Sequence, residues 1–251
     1  MSAAKLAAGA VVGLGGVWAV AQLTALSLTR KKESGLVSPS PSEADRRDLF
    51  SKLAPTWDAT VRWDEFTSGI SRWRRQLVRM ATGDVLEVAA GTGRNMQYYT
   101  NEVSSVTCLD FSRRMLEVML GRKNEGEYAH ISDLRLVVGN CSCLKEFHDN
   151  QFDTVVDTFG ICSFEDPVSA LREMGRVCKP GGRILLLEHG QSDWPWMQSL
   201  LSSQVGVHVK KFGCYNHRNI EDLVQQSGLK VVSSKRKHWG TIYFLVCEPP
   251  A

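Results

Sequence analysis

Between Val85 and Asn95 the chain reads Val-Leu-Glu-Val-Ala-Ala-Gly-Thr-Gly-Arg-Asn, an apolar run ending in a Gly-x-Gly turn, with the acid Glu87 shortly before Gly91. Gly91 and Gly93 remove the side chains that keep a ligand off the backbone and open turn dihedrals closed to other residues. A helix entered after such a turn presents free N–H groups to whatever occupies it. A second apolar run, Val106 to Leu109, ends in Asp110, placed to take both hydroxyls of a ribose. The competing reading of Asp110 is a helix cap, although Ser112 can supply that cap instead. A third run, Leu134 to Val138, leads into Gly139-Asn140-Cys141. There an amide and backbone N–H groups can read an adenine edge, and a plain turn is the alternative for Asn140. Together these residue types suit an adenosine-bearing cofactor, either a dinucleotide or S-adenosylmethionine.

Two details separate those ligands. The dinucleotide fingerprint needs a third small residue for close helix–strand packing, and Met96 stands in that place. Glu87 on the strand suits the amino-acid end of S-adenosylmethionine. Further along, Phe152–Asp157 and Gly182–Leu187 read as a fourth and a fifth strand, with Lys179-Pro180-Gly181-Gly182 turning into the fifth. Strands alternating with helical segments predict an α/β fold with a doubly wound parallel sheet. Such sheets bind ligands at the carboxyl ends of their strands, where every residue named above falls. Glu165-Asp166-Pro167 reads as a helix start.

The sequence resembles the class I S-adenosylmethionine-dependent methyltransferases over about residues 43–248. Within them it is similar to the group near the ubiquinone/menaquinone C-methyltransferases that includes membrane-anchored mitochondrial Oms-type proteins. The resemblance rests on Leu86 to Asn95, on Phe152 to Pro167, on Leu186-Leu187-Glu188-His189-Gly190, on Lys211 to Asn219 and on His238 to Tyr243. It implies a Rossmann-like fold: a mainly parallel seven-stranded sheet with an antiparallel final hairpin, strands near Leu229–Lys235 and Thr241–Cys247, and Gly240 near the turn. It implies a cofactor site at Glu87, Gly91, Gly93, Asp110, Met115, Asn140, Cys141 and Asp157. Many relatives carry an acid where this chain has Asn140. The resemblance further implies that the N-terminal helices cover the cofactor, with Trp57, Asp58, Trp63, His217 and Arg218 on the acceptor side.

The chemistry is then displacement at a sulfonium methyl, for which positioning can supply most of the catalysis. Where an acceptor must lose a proton, His189 at the end of the fifth strand is the candidate base, and fixing the following loop is its alternative role. A non-catalytic, cofactor-binding assembly factor of a mitochondrial membrane is the rival to the enzyme reading, since fold does not fix function. Seven cysteines without a C-x-x-C pair argue against a disulfide framework, and no paired Cys/His spacing predicts a metal. A net charge of +3 is too mild for DNA binding. A small-molecule, lipid or quinone-like acceptor fits, and RNA or protein acceptors stay open.

The uncharged stretch Leu6–Thr29, bounded by Lys5 and Arg30-Lys31-Lys32, exceeds the roughly 20 residues that span a bilayer. It predicts a single-pass transmembrane helix, and its modest hydrophobicity suits a mitochondrial membrane. The expected setting is the inner membrane with a matrix-facing domain; the alternatives are the outer membrane or the endoplasmic reticulum, facing the cytosol. The expected organisation is an anchor with its basic flank (1–32), a Ser/Pro-rich linker (33–48), a helical cap (49–80) and the methyltransferase domain (81–248). In the cap, Trp73-Arg74-Arg75 reads as a solvated basic face or a contact for phosphates or headgroups.

Overall fold

The structure, a computed structural model, describes residues 42–250. Ser42 starts it with a reciprocal cap: its hydroxyl accepts the N–H of Asp45, whose carboxylate accepts the N–H of Ser42. Helix α1 (Glu43–Leu53) therefore begins inside the stretch expected to be linker, the rest of which lies outside the described residues. A short 3₁₀ turn, Ala54–Thr56, leads to α2 (Trp57–Ser68). Gly69, at φ +76°, ends α2 in the left-handed region and opens α3 (Ile70–Val78).

Seven strands follow: β1 (Gly83–Val88), β2 (Val103–Asp110), β3 (Leu134–Val138), β4 (Phe152–Thr158), β5 (Cys178–His189), β6 (Lys230–Lys237) and β7 (Ile242–Glu248). The helices between them are α4 (Arg113–Asn124), α5 (Pro167–Val177), α6 (Pro195–Phe212) and α7 (Ile220–Ser227). Their starts are chemical. Ser112 caps α4 and Asn219 caps α7, while Asp166 caps α5 with Pro167 behind it, as the sequence predicts.

The sheet order is β3-β2-β1-β4-β5-β7-β6. Strands β1 to β5 pair in parallel, and β7 runs antiparallel between β5 and β6. Alternation along β1, β2, β4, β5 and β7 divides the core between the two faces, while β6 buries none of its residues. Leu86, Val88, Val155, Ile184, Leu186, Tyr243 and Leu245 pack on one face. Val85, Val156, Leu185, Leu187, Ile242 and Phe244 pack on the other, beneath Trp73 and Leu77 of α3. Strand order reverses between β1 and β4, which places the crevice at their carboxyl ends. The predicted anchor, Leu6–Thr29, lies outside the described residues; among those, no helix is long and apolar enough to cross a membrane.

Candidate functional site

A cavity of about 580 Å³ opens at the carboxyl ends of β1 to β5, roofed by α1 and α2 and walled on one side by α6. At its floor stands Glu87, 2% exposed, whose Oε2 accepts the Tyr99 hydroxyl at 2.5 Å. Burial raises its pKa to about 7 against the pull of that bond and of the Arg74 charge. Asp110 ends β2. Its Oδ2 accepts the N–H of Gly91 and its Oδ1 that of Ser112, both at 2.8 Å. Burial still outweighs these two bonds and lifts the Asp110 pKa to about 6. Two buried carboxylates with so few donors keep acceptor capacity for hydroxyls and an ammonium brought by a ligand. Beside them Leu109, Phe111, Met115 and Cys141 make an apolar wall.

The turn between these acids is strained. Ala89, just after β1, sits at φ +48°, and Phe159, just after β4, at φ +63°. Non-glycine residues held there store energy, and such strain concentrates at functional sites. Gly91 (φ +56°) presents bare backbone to the cavity. Gly93 (φ +86°) does a different job: a Cβ there would stand 2.7 Å from the Tyr128 hydroxyl oxygen and 3.0 Å from Met119, so it seats the turn against α4.

A buried polar network fastens the cap to this turn. Arg74 on α3 donates to both oxygens of Glu65 on α2, at 3.2 and 2.6 Å, and reaches Asn95 Oδ1 at 2.9 Å and Thr158 Oγ1 at 2.7 Å. Arg94 joins Glu65 at 2.8 Å and Asp58 at 3.1 Å, and Arg122 also pairs with Asp58. Burial pushes the Glu65 pKa up, but Arg74 and Arg94 outweigh it and hold the carboxyl below its ordinary range. Helix α1 is strapped by Glu43 to Asn140 at 2.6 Å, by Arg46 to Glu165 at 2.9 Å and by Ser51 to Ser112 at 3.1 Å.

On the β4–β5 side a turn is moulded around two buried acids. Glu188 accepts the N–H groups of Gly160 and Cys162, each at 3.2 Å, and Asp157 accepts that of Ile161 at 3.0 Å. Burial drives both pKa values above the carboxylate range, and the Asp157 charge raises that of Glu188 further. A Cβ at Gly160 would lie 2.3 Å from Asp157 Oδ1, so only glycine fits there. The His189 ring lines the cavity and packs on Phe159 with centroids 4.3 Å apart. From α6, His208 also faces in; burial and then Lys211 push its pKa down to about 4, which leaves it a neutral, weak base at pH 7. Trp57, Val61, Phe164, Val207 and Phe212 complete a largely apolar wall.

A family model described as "Methyltransferase domain" matches residues 86–186. A demethylmenaquinone methyltransferase of Listeria welshimeri is 35% identical over 172 residues, 66% of this chain and 71% of that protein. The chain belongs to the class I S-adenosylmethionine-dependent methyltransferases. "Methyltransferase OMS1, mitochondrial" of Saccharomyces cerevisiae is 31% identical over 218 residues, 81% of this chain. The chain spans only 46% of that yeast protein. Among solved structures, one titled "DhpI-SAH complex structure" shares the fold at 18% identity, with a TM-score of 0.60 over 81% of this chain and 95% of that one.

For a methyltransferase the donor set fits S-adenosylmethionine: carboxylates for ribose and ammonium, bare backbone at Gly91 and an apolar wall for the adenine. Of the predicted cofactor residues, Glu87, Gly91, Asp110, Met115, Asn140 and Cys141 meet at the cavity. Gly93 and Asp157 do not line it. Asn140 is committed at both ends, its amide to Glu43 and its Oδ1 to the N–H of Ser142 at 2.8 Å, the turn role the sequence left open. Ser112 takes the α4 cap, which frees Asp110 from that alternative.

Of the acceptor-side residues, Trp57 alone lines the cavity. Asp58 turns to Arg94, Arg122 and Thr92, and Trp63 is 67% exposed on the outer face of α2. Arg218 stacks on Tyr215 and donates to the carbonyls of Ile161 and Phe164, both at 2.8 Å; His217 stays beside it, away from the cavity. Trp73 and Arg74 are buried, contrary to a solvated face, and Arg75 alone is exposed. Sequence reasoning missed Phe111, Phe159 and the Glu65–Arg74 pair. Only Phe111 had a local signal, its place directly after Asp110.

Proposed function

We propose that this chain transfers a methyl group from S-adenosylmethionine to an apolar, membrane-associated acceptor seated on the β4–β5 side of the cavity. The observation that carries this reading is the meeting of Glu87, Gly91 and Asp110 on one side of a cavity whose other side is largely apolar. When bound, the cofactor supplies a methyl on a positively charged sulfur, so the protein's task is chiefly alignment. Asp110 takes the ribose hydroxyls and Glu87 the ammonium, while Phe111, Met115 and Cys141 flank the adenine. Trp57 and Phe164 place apolar surface along the transfer line. Where an acceptor must release a proton, His189 is the cavity-lining imidazole placed to take it.

The uncharged stretch Leu6–Thr29 supports a single membrane anchor, and the name of the yeast relative supports a mitochondrial setting. The inner membrane with a matrix-facing domain is the reading we favour. A quinone-like ring or a lipid suits the cavity wall, and the relatives named for demethylmenaquinone methylation support that class of acceptor. Incubating the full chain with a mitochondrial membrane extract and isotopically labelled methyl donor tests this by mass spectrometry. A labelled, membrane-partitioning product that disappears with Asp110→Ala is expected. A protein that binds the cofactor yet labels no fraction would instead be a cofactor-binding scaffold.

A further inference from the structure

We propose that Cys162, His189 and Cys214 form a binding site for a thiophilic divalent cation, Zn²⁺ in class, with its fourth position open to the cavity. One ligand atom from each residue lies within 4.8 Å of the others. All three residues line the cavity, both cysteines are buried, and His189 is half-buried.

The fold brings them together by backbone bonds. The Tyr215 N–H donates to the Cys162 carbonyl at 2.7 Å, tying the loop after α6 to the turn after β4. The Phe159 N–H donates to the Leu187 carbonyl at 2.8 Å, holding that turn beside the end of β5. Glu188 fixes the Cys162 N–H from beneath, and Phe159 supports the His189 ring. Three segments distant in sequence are therefore locked independently of any ion, and outer supports of this kind are what orient metal ligands.

Two sulfurs and one imidazole are a soft donor set, which selects Zn²⁺ and similar ions over Mg²⁺ or Ca²⁺. Zn–S bonds of about 2.3 Å and Zn–N bonds of about 2.0 Å place ligand atoms roughly 3.5–3.8 Å apart in a tetrahedron. The widest spacing, 4.8 Å, has to close by about 1 Å to reach that value when an ion binds. Three protein ligands leave one position for water or a lone pair of the acceptor, the pattern of catalytic zinc sites. Binding turns both thiols into thiolates and passes two protons to solvent. Ligation takes one His189 nitrogen out of service as a base and gives the ion the task of activating the acceptor. The site stands whether or not the chain transfers methyl groups.

The test uses the full chain in detergent, purified under a phosphine reductant and titrated with Co²⁺ as the spectroscopic probe and with Zn²⁺ in competition. One equivalent of Co²⁺ with four-coordinate d–d bands and a thiolate charge-transfer band, displaced by Zn²⁺, is expected. Cys162→Ser and Cys214→Ser should remove the charge-transfer intensity stepwise. Each should weaken binding by more than the roughly 10–100-fold that loss of an outer-shell partner costs. Circular dichroism and S-adenosylhomocysteine binding report whether each variant is folded. A folded chain that takes up no stoichiometric Co²⁺ overturns the proposal. So does cobalt binding unchanged in both serine variants, or a Cys162–Cys214 disulfide persisting under the reductant.

Discussion

Glu87 and Asp110 both line the cavity, and both are held away from their ordinary ionisation. A raised folded-state pKa means that the fold favours the neutral acid. That contribution to stability is whole below the ordinary value and is lost as pH climbs through the folded value. For Asp110 the window runs from 3.8 to about 6, and for Glu87 from 4.5 to about 7. A ligand offering hydroxyl and ammonium donors favours the ionised acids, so its affinity moves the opposite way. The dissociation constant for S-adenosylhomocysteine should fall from about pH 5.5 to about pH 8 and then level off. Glu87→Gln should flatten the upper half of that curve, which isothermal titration across buffers can measure; an unchanged slope would remove Glu87 from the ligand's reach. Much of this floor was legible in sequence, because glycines and acids at strand ends have few other uses. Asn140 was not: an exposed amide serves a turn or a ligand equally well, and the structure shows it both at the cavity and bonded to Ser142 in the turn.

At the level of elements, the cap is fastened to the cofactor turn by charge as well as by apolar packing. Glu65 faces Arg74 and Arg94, so Glu65→Ala leaves a buried guanidinium without its carboxylate. Such losses cost about 3–5 kcal/mol, and the acceptors Asn95 and Thr158 place this one near the lower end. Denaturant unfolding of the full chain should show that loss; a change below about 1 kcal/mol would mean the network does not hold the cap. Apolar runs marked β1 to β5 in the sequence, whereas the final hairpin came from the family resemblance, since β6 buries none of its residues and carries no apolar run. Sequence reasoning missed the network because Arg74 lies in a run of basic residues that reads as solvated, and its partners come from three other segments. The α1 start was legible in the Ser42-x-x-Asp45 box, yet the Ser/Pro-rich stretch before it drew the linker reading too far. Asp58, Trp63 and Arg218 were assigned by family position, whereas ion pairs hold Asp58, carbonyl bonds hold Arg218, and Trp63 lies exposed on the outer face of α2.

For the whole molecule, topology carries the functional reading: reversal of strand order between β1 and β4 makes one crevice, and Glu87, Gly91, Asp110 and Asn140 meet there. The proposed anchor fixes which acceptors that crevice can meet. Alkaline carbonate should leave the full chain in the membrane pellet, while a fragment beginning at residue 40, which keeps the Ser42 cap, should stay in the supernatant. Complete extraction of the full chain would remove the anchor. The central claim is that the carboxyl ends of β1 and β2 hold S-adenosylmethionine. Isothermal titration of the full chain with S-adenosylhomocysteine tests it most directly, beside Asp110→Ala checked for folding by circular dichroism. The account predicts one site per chain, weakened by the substitution at least roughly 10–150-fold, the equivalent of about 1.5–3 kcal/mol for one of the two ribose hydrogen bonds lost. A folded protein that binds nothing, or binds as tightly without the Asp110 carboxylate, would contradict it.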